Sequence, residues 1–133
     1  MTSKAEYLGD LRVKNTHLQS GSNYLTDAPI DNHGKGEAFS PTDTVATALG
    51  NCILTTMGIK AEDKDIDLKG TIAEITKTMA LNPRRIAKIK VEIYFPKNYP
   101  DKIKSILKYT AFHCPVFQSL HPEMEKEINF FYD

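Results

Sequence analysis

The sequence is poor in the features that usually identify a function at once. It has no tryptophan, only two cysteines and four histidines, and its 17 basic and 17 acidic residues leave no formal net charge. A chain of this charge lacks the electrostatic footprint of a nucleic-acid-binding protein. A serine nucleophile elbow, a P-loop and a dinucleotide-binding glycine motif are also absent. The two cysteines, each in a distinctive local setting, are therefore the main functional clue.

Long hydrophobic runs are absent as well. No stretch reaches the ~20 uncharged apolar residues that a membrane-spanning helix needs, and residues 1–6 carry no apolar run of the kind found in signal peptides. The 133 residues are 41% hydrophobic and 26% charged, which is ordinary for one globular domain. We therefore expect a single domain over residues 1–133 in the cytoplasm, where two cysteines are more often reduced, catalytic or inert than a permanent disulfide.

The strongest local signal is the start of a helix that we predict over residues 41–62. Ser40 suits the N-cap, Pro41 suits the first helical position, and Asp43 stands three residues after the cap. Between residues 45 and 59 the only strongly polar side chain is Asn51. Such a helix needs apolar cover on nearly every side, which a dimer supplies more easily than a monomer.

The remaining elements are predicted from periodicity and turn residues. Alternation predicts strands, a hairpin over residues 71–95, and two helices separated by a proline. In chain order these elements are strands at 5–15 and around 24–25, the helix at 41–62, strands at 66–79 and 88–95, helices at 101–114 and 115–120, and a strand at 124–132. Neighbouring strands in pairs favour an α+β fold over a parallel doubly wound fold.

The two cysteines differ in what could make them reactive. Cys52 lies about three turns into its helix, beyond the reach of the helix dipole, and burial disfavours a thiolate. An activated Cys52 would need a cation, and the chain has only three arginines, Arg12, Arg84 and Arg85. Cys114 precedes Pro115, so it would stand at the N-terminus of the short helix, where peptide N–H groups favour a thiolate.

Two other interpretations of the cysteines stay open at this point. A lone cysteine in an apolar helix is usually a small core residue without chemistry. A zinc site is a further alternative, because His113 and His121 flank the second cysteine and Cys52 could converge on them. The chain has no Cys-x-x-Cys or His-x₃₋₅-His pair to support such a site. We therefore predict no metal and no cofactor.

Two cysteine motifs resemble those of a known family. The segment Ser40-Pro41-Thr42-Asp43…Ala48-Leu49-Gly50-Asn51-Cys52 resembles the first cysteine motif of the OsmC/Ohr family, the osmotically inducible and organic hydroperoxide resistance proteins. The segment His113-Cys114-Pro115-Val116-Phe117-Gln118-Ser119-Leu120 resembles the second, 62 residues later. Thr26-Asp27-Ala28-Pro29 and Asn82-Pro83-Arg84-Arg85-Ile86 also suit the family. The resemblance covers essentially the whole chain.

The resemblance implies an α+β fold with antiparallel strands around a central apolar helix that bears Cys52, assembled as an intertwined homodimer. It also implies a thiol-dependent peroxidase for oxidative-stress defence that prefers organic, hydrophobic hydroperoxides. In that activity Cys52 is the peroxidatic residue and Cys114 resolves its sulfenic acid as a disulfide, which an external dithiol then reduces. A binding protein for a small ligand, or a structural dimer with inert thiols, is the alternative on the same fold.

The chain departs from the family at one diagnostic position. The best-known members carry a glutamate directly after the proline of the first motif, and it holds an arginine against the reactive thiolate. Here that position is Thr42, and the nearest carboxylate is Asp43. The candidates for activating or orienting the thiolate are therefore Asp43 and the three arginines, although Asp43 equally suits a role in capping the helix.

Overall fold

The computed structural model describes the chain from Met1 to Asp133. By its internal contacts the chain divides into two compact units, Met1–Val45 and Ala46–Asp133, and each is described by itself. None of the helices combines the length and the apolar character that crossing a bilayer requires. The fold is a mixed α+β fold with two three-stranded sheets, one in each unit.

The first unit is an antiparallel sheet of three strands in the order β1-β2-β3. The strands are β1 (Ser3–Gly9), β2 (Arg12–His17) and β3 (Asn23–Asp27), and a single turn of 3₁₀-helix follows at Ile30–Asn32. Residues 18–22 form the turn that connects β2 to its antiparallel partner β3. Six of the seven residues of β1 are exposed, so this sheet has little core of its own.

The prediction of one strand over residues 5–15 was wrong. The chain reverses at Asp10 and Leu11, whose φ angles of 54° and 63° both lie in the left-handed region. Gly9, at a φ of 87°, and Asp10 are turn-forming residues that mark the reversal, although leucine rarely adopts the conformation that Leu11 takes. The apolar alternation continues across the turn from β1 into β2, which is why a single strand was expected.

The helix α1 spans Pro41–Glu62, the range predicted from its start signal. Ser40 and Asp43 cap the helix through two reciprocal hydrogen bonds. The Ser40 N–H donates to Asp43 Oδ2, and the Asp43 N–H donates to Ser40 Oγ, each at 3.0 Å. This reciprocal arrangement satisfies two N–H groups that would otherwise lack partners at the helix start. It assigns Asp43 the capping role that the sequence left open.

The second unit contains a sheet in the order β4-β5-β6 and two further helices. The elements are β4 (Ile72–Ala80), β5 (Arg85–Tyr94), α2 (Asp101–Phe112), α3 (Pro115–Ser119) and β6 (Glu125–Phe131). The hairpin of β4 and β5 is antiparallel, as predicted. In contrast to the expected antiparallel strands, β6 pairs parallel to β5. The helices between them return the chain so that it re-enters the sheet in the direction of β5.

The strand predicted over residues 66–79 starts later than expected. Ile66 and Leu68 are half-buried but lie outside the sheet. Thr71 donates to the Leu68 carbonyl oxygen through its N–H at 3.0 Å and through its hydroxyl at 2.6 Å, closing a turn before β4. Gly70 takes a φ of 93° within it, which glycine adopts without steric cost.

One apolar cluster forms the core of the second unit. It combines the inner face of α1 with the central strand β5, the helix α2 and the strand β6; its most buried members include Leu49, Ile53, Met57, Ile89, Val91, Ile93, Leu107, Ala111 and Cys114. The helix lies close to the sheet at Gly50, where an added Cβ would stand 2.8 Å from Ile75 Cδ1. This close packing positions Cys52, two residues further along the helix.

Candidate redox site

Cys52 lies on α1 between its buried and exposed faces. Its neighbour Ile53 is fully buried and Asn51 is exposed, so the cysteine itself is half-buried. The peptide N–H of Val116 donates to Cys52 Sγ at 3.5 Å. One turn along the helix, the Thr56 hydroxyl donates to the Cys52 carbonyl oxygen at 2.8 Å. The Cys52 sulfur therefore has a hydrogen-bond donor, on a residue that is not fully buried.

Cys114 occupies the N-cap of α3, as the sequence predicted from Pro115. Its backbone is extended, and its sulfur accepts from the Phe117 N–H at 3.4 Å. The residue is only 1% exposed. Both cysteines are free thiols. The segment that follows Cys114 thus supplies one peptide N–H to each sulfur.

Burial favours the protonated form of Cys114, and the neighbouring Cys52 sulfur adds to that effect. Burial, the largest contribution, and then the hydrogen bond and charge of Cys52 raise the pKa of Cys114 to about 11. The N–H groups of Phe117 and Val116 act in the opposite direction. The predicted geometry at Cys114 is therefore present, and its peptide contribution has the expected sign. Burial outweighs it, because the charged form loses more solvation than two N–H groups restore.

Arg12 belongs to a cluster of charges in the first unit. Its guanidinium donates to the Glu37 carboxylate and lies 3.7 Å from Asp27 Oδ2. The hydrogen bond with Glu37, followed by the charge of Glu37, raises the pKa of Arg12 above its ordinary value. Asp27 is 1% exposed; its Oδ2 accepts from the Glu37 N–H at 3.0 Å, and its Oδ1 is buried without a partner. The sequence did not predict either carboxylate as a partner of Arg12.

The other two arginines lie at the turn between β4 and β5. Arg85 is exposed and donates to the carbonyl oxygens of Leu81 and Pro83, each at 2.9 Å. Its guanidinium thus stabilises the turn that contains it. Arg84 lies in the same turn, after the cis peptide bond between Asn82 and Pro83. The structure brings Cys52 and Cys114 together in the second unit, which also contains both of these arginines, whereas Arg12 and Asp43 belong to the first.

The residues weighed for a zinc site have other partners. No group of three or more His, Cys, Asp or Glu side chains is arranged to hold a metal ion. The His113 ring stacks on Tyr109 with 3.9 Å between the ring centroids, and its Nδ1 lies 2.7 Å from the Tyr109 carbonyl oxygen. The Nδ1 of His121 accepts from the Glu123 N–H at 3.0 Å. The zinc alternative therefore finds no support in the geometry.

An open groove of about 550 Å³ runs between α1 and α2 near the cysteines. Its lining begins at Thr56, one helical turn from Cys52, and includes His113, the residue before Cys114. The other lining residues are Lys60, Lys64, Ser105, Ile106, Tyr109 and Thr110. The surface is mostly apolar, with lysines at one end. The groove has the size and polarity to receive the hydrocarbon part of a small organic molecule.

The chain was compared with known families and structures. A family model described as "OsmC-like protein" matches residues 34–129. No curated protein matches the chain. A crystal structure from Psychrobacter arcticus 273-4, a protein provisionally assigned to the osmotic-stress and detoxification response, is 50% identical, with 98% of this chain and 95% of that chain covered and a TM-score of 0.95.

Two more distant structures share the fold. A Vibrio cholerae protein, provisionally assigned as an organic hydroperoxide resistance protein and carrying captopril in one of its active sites, is 13% identical, with 98% and 91% of the two chains covered and a TM-score of 0.75. An organic hydroperoxide resistance protein from Elizabethkingia anophelis, with thiocyanate bound, is 10% identical, with 100% and 97% covered and a TM-score of 0.78. At these identities the likeness concerns the fold alone.

Proposed function

Because the chain belongs to the OsmC-like protein family, we propose that it is a thiol-dependent peroxidase that reduces organic hydroperoxides. Cys52 is the peroxidatic residue and Cys114 the resolving residue. The observation that carries the proposal is the pairing of these two free thiols, which stand 62 residues apart in the sequence and interact in the fold. Their unequal exposure suits the two roles, because the half-buried sulfur can meet a peroxide and the buried one can meet only its neighbour.

The reaction proceeds in two steps within the protein. The Cys52 thiolate attacks the outer peroxide oxygen; an S–O bond forms, the O–O bond breaks, and the leaving alkoxide takes a proton to become an alcohol. Cys52 is then a sulfenic acid. Cys114, as a thiolate, attacks the Cys52 sulfur; an S–S bond forms, and hydroxide leaves and is protonated to water. An external dithiol reduces the disulfide by thiol–disulfide exchange.

The groove between α1 and α2 supports a preference for hydrophobic hydroperoxides. Its mostly apolar lining lies one helical turn from Cys52, so it is suited to bury the alkyl or aryl part of a substrate. Hydrogen peroxide has no such part and gains nothing from the groove. We therefore expect organic hydroperoxides to react faster, since burial of each methylene stabilises binding by about 0.8 kcal/mol.

The proposal also includes a homodimer in a reducing compartment such as the cytoplasm. Large apolar side chains remain exposed on the sheet of the first unit, and Ile59 on α1 is 60% exposed. The exposed side chains of that sheet include Tyr7, Leu8, Tyr24 and Leu25. A second copy of the chain is the partner that would cover these surfaces, in line with the dimer that the resemblance implies. Free thiols suit a reducing compartment.

The decisive experiment counts free thiols in the reduced protein before and after one equivalent of cumene hydroperoxide, with hydrogen peroxide in parallel. Rapid loss of both thiols to an internal disulfide, faster with the organic peroxide, is the expected result. Cys52→Ser should abolish the reaction, and Cys114→Ser should stop it at a sulfenic acid that a dimedone probe captures. Survival of both thiols in the wild-type protein would refute the proposal and favour the ligand-binding alternative.

The same assay identifies the cation that activates Cys52. Each arginine is replaced by glutamine in turn, as Arg12→Gln, Arg84→Gln and Arg85→Gln, and the rate of thiol loss is measured with excess cumene hydroperoxide. The variant that lacks the activating charge should react at least tenfold more slowly, because an ion pair that stabilises the thiolate by one pKa unit changes its population tenfold. Asp43→Asn should leave the rate unchanged if Asp43 serves only to cap α1.

A further inference from the structure

Both cysteine sulfurs accept a hydrogen bond from the same short backbone segment, but each from a different peptide N–H. The Phe117 N–H points at Cys114 Sγ, at 3.4 Å, and the Val116 N–H points at Cys52 Sγ, at 3.5 Å. Cys114 is buried, whereas Cys52 is half-buried. The resolving sulfur therefore has a donor in place for its anionic form, although it rests as a thiol.

Few groups set the protonation of Cys114. Burial contributes most, followed by the Phe117 N–H; among titratable groups only Cys52 contributes, through a hydrogen bond and through its charge. His113 is adjacent in sequence but exposed, with its ring stacked on Tyr109. The hydrogen bond and the charge of Cys52 are thus the contributions that the catalytic cycle itself changes.

We infer that oxidation of Cys52 releases Cys114 for attack, and that the peptide N–H of Phe117 is the positioning group that holds the released thiolate. While Cys52 is anionic, the Cys114 thiol donates its hydrogen to it, and two adjacent anions are avoided. Conversion of Cys52 to a sulfenic acid removes that negative charge. Cys114 then loses its proton more easily and already has the Phe117 N–H as a hydrogen-bond donor.

The chemistry balances without any group beyond those in the proposed function, on which this inference rests. Formation of the sulfenic acid transfers two electrons from the Cys52 sulfur to the peroxide. Cys114 then releases its proton to water, and its electron pair forms the S–S bond as the S–O bond breaks. The departing hydroxide takes up one proton. The device orders the two steps, because the resolving thiolate becomes available only after the first step has occurred.

A pair of variants tests the effect of charge without any peroxide. Cys52→Asp carries a permanent negative charge beside Cys114, whereas Cys52→Asn has the same shape without charge. Cys114 is the only cysteine left in each, so the thiolate absorbance near 240 nm follows it alone as the pH is raised. We expect its midpoint to lie about one pH unit lower in Cys52→Asn. Equal midpoints, or a lower one in Cys52→Asp, would overturn the inference.

A second pair tests the N–H group. Phe117→Pro removes the N–H and the ring, whereas Phe117→Ala removes only the ring. The rates of sulfenic-acid and disulfide formation are measured after one equivalent of cumene hydroperoxide. We expect Phe117→Pro to slow disulfide formation about tenfold relative to Phe117→Ala, the effect of one hydrogen bond to a charged group, with sulfenic-acid formation unchanged. Equal rates in the two variants would refute the role of this N–H.

The two tests separate this inference from the proposed function. If the protein fails to reduce peroxides, the proposed function fails, yet the midpoints of the Asp and Asn variants still report whether charge at position 52 controls Cys114. If the wild-type protein forms the disulfide but those midpoints coincide, the proposed function stands and the inference fails. Circular dichroism of each variant confirms that the fold is retained.

Discussion

The two units of this protein are stabilised by different means. The second unit, Ala46–Asp133, buries a continuous apolar cluster around β5 and α1, and both cysteines contact that cluster. The first unit, Met1–Val45, buries chiefly polar groups, Thr26, Asp27 and Ser40, and leaves its large apolar side chains exposed. The comparison teaches that the two cysteines lie in the unit that has an apolar core. The other unit depends on hydrogen bonds and ion pairs, and its large apolar side chains remain exposed.

The largest expected effect on the free energy of unfolding comes from an isoleucine-to-alanine substitution, which we compare between the two units. Ile93 in β5 is fully buried, whereas Ile30 in the first unit is 79% exposed. Ile93→Ala should lower the free energy of unfolding by about 3 kcal/mol, because it removes buried methyl groups and leaves a cavity. Ile30→Ala should change it by less than about 0.5 kcal/mol. Urea unfolding at one protein concentration measures both, and similar losses would contradict the comparison.

A smaller effect is expected from Asp27, the buried carboxylate of the first unit. Asp27→Ala leaves the Glu37 N–H without its acceptor and weakens the hold on Arg12, at a cost of about 1–3 kcal/mol. Asp27→Asn keeps an acceptor oxygen and should cost less. Hydrogen exchange shows which unit loses stability. The Glu37 amide should exchange faster, while the amides of β5 keep their protection. Equal acceleration in both units would show that they unfold together.

The smallest effect is expected from a surface ion pair that joins β5 to β6. Lys88 Nζ lies 2.9 Å from Glu127 Oε1, and its hydrogen bond lowers the pKa of Glu127 while raising the pKa of Lys88. The contribution of Glu127 to the stability of the fold is therefore present at neutral pH and is lost as the pH falls through its lowered pKa. The contribution of Lys88 to stability is lost only in strong base. Both side chains are only partly buried and remain in contact with solvent, so the expected effect on stability is small.

The test compares melting temperatures of Glu127→Gln and the wild-type protein at neutral pH and in acid below the pKa of Glu127. A slightly lower melting temperature of the variant at neutral pH should disappear in acid and in high salt. Glu125→Gln serves as the control, since that carboxylate stands 3.8 Å from the same lysine and should matter less. A difference in melting temperature that persists in acid would show that packing, not charge, links Glu127 to β5.

Local signals predicted the helices better than the strands. The bounds of α1 follow from Ser40, Pro41 and Asp43, because capping is decided by residues close in sequence. The turn at Asp10 and Leu11 was missed, because the apolar alternation was given more weight than the turn residues Gly9 and Asp10, and leucine rarely adopts the conformation that Leu11 takes. The direction of β6 depends on the path of the chain through α2 and α3, which no periodicity within β6 records.

The candidate site was predicted only in part, because local sequence signals do not report what distant elements contribute. The sequence placed Cys114 correctly before a short helix, but the depth of its burial comes from distant elements, and that burial decides the direction of its pKa shift. The sequence predicted peptide N–H groups at Cys114, and the Phe117 N–H supplies one. The Val116 N–H that donates to Cys52 Sγ was missed, because a backbone donor carries no side-chain signature. The roles of Cys52 and Cys114 in catalysis stay a prediction until thiols are counted.

The distance along the chain between the two cysteines has a consequence for synthesis. The ribosome adds residues at roughly 5–20 per second, so the 62 residues from Cys52 to Cys114 take roughly 3–12 s. During that interval a nascent chain carries Cys52 without its partner, and β5 and α2 are still being made. Under the proposed function, an oxidised Cys52 on the growing chain has no resolving thiol in the same molecule, and its oxidation can proceed to the irreversible sulfonic acid. A newly made molecule gains that protection only after Cys114 has been added.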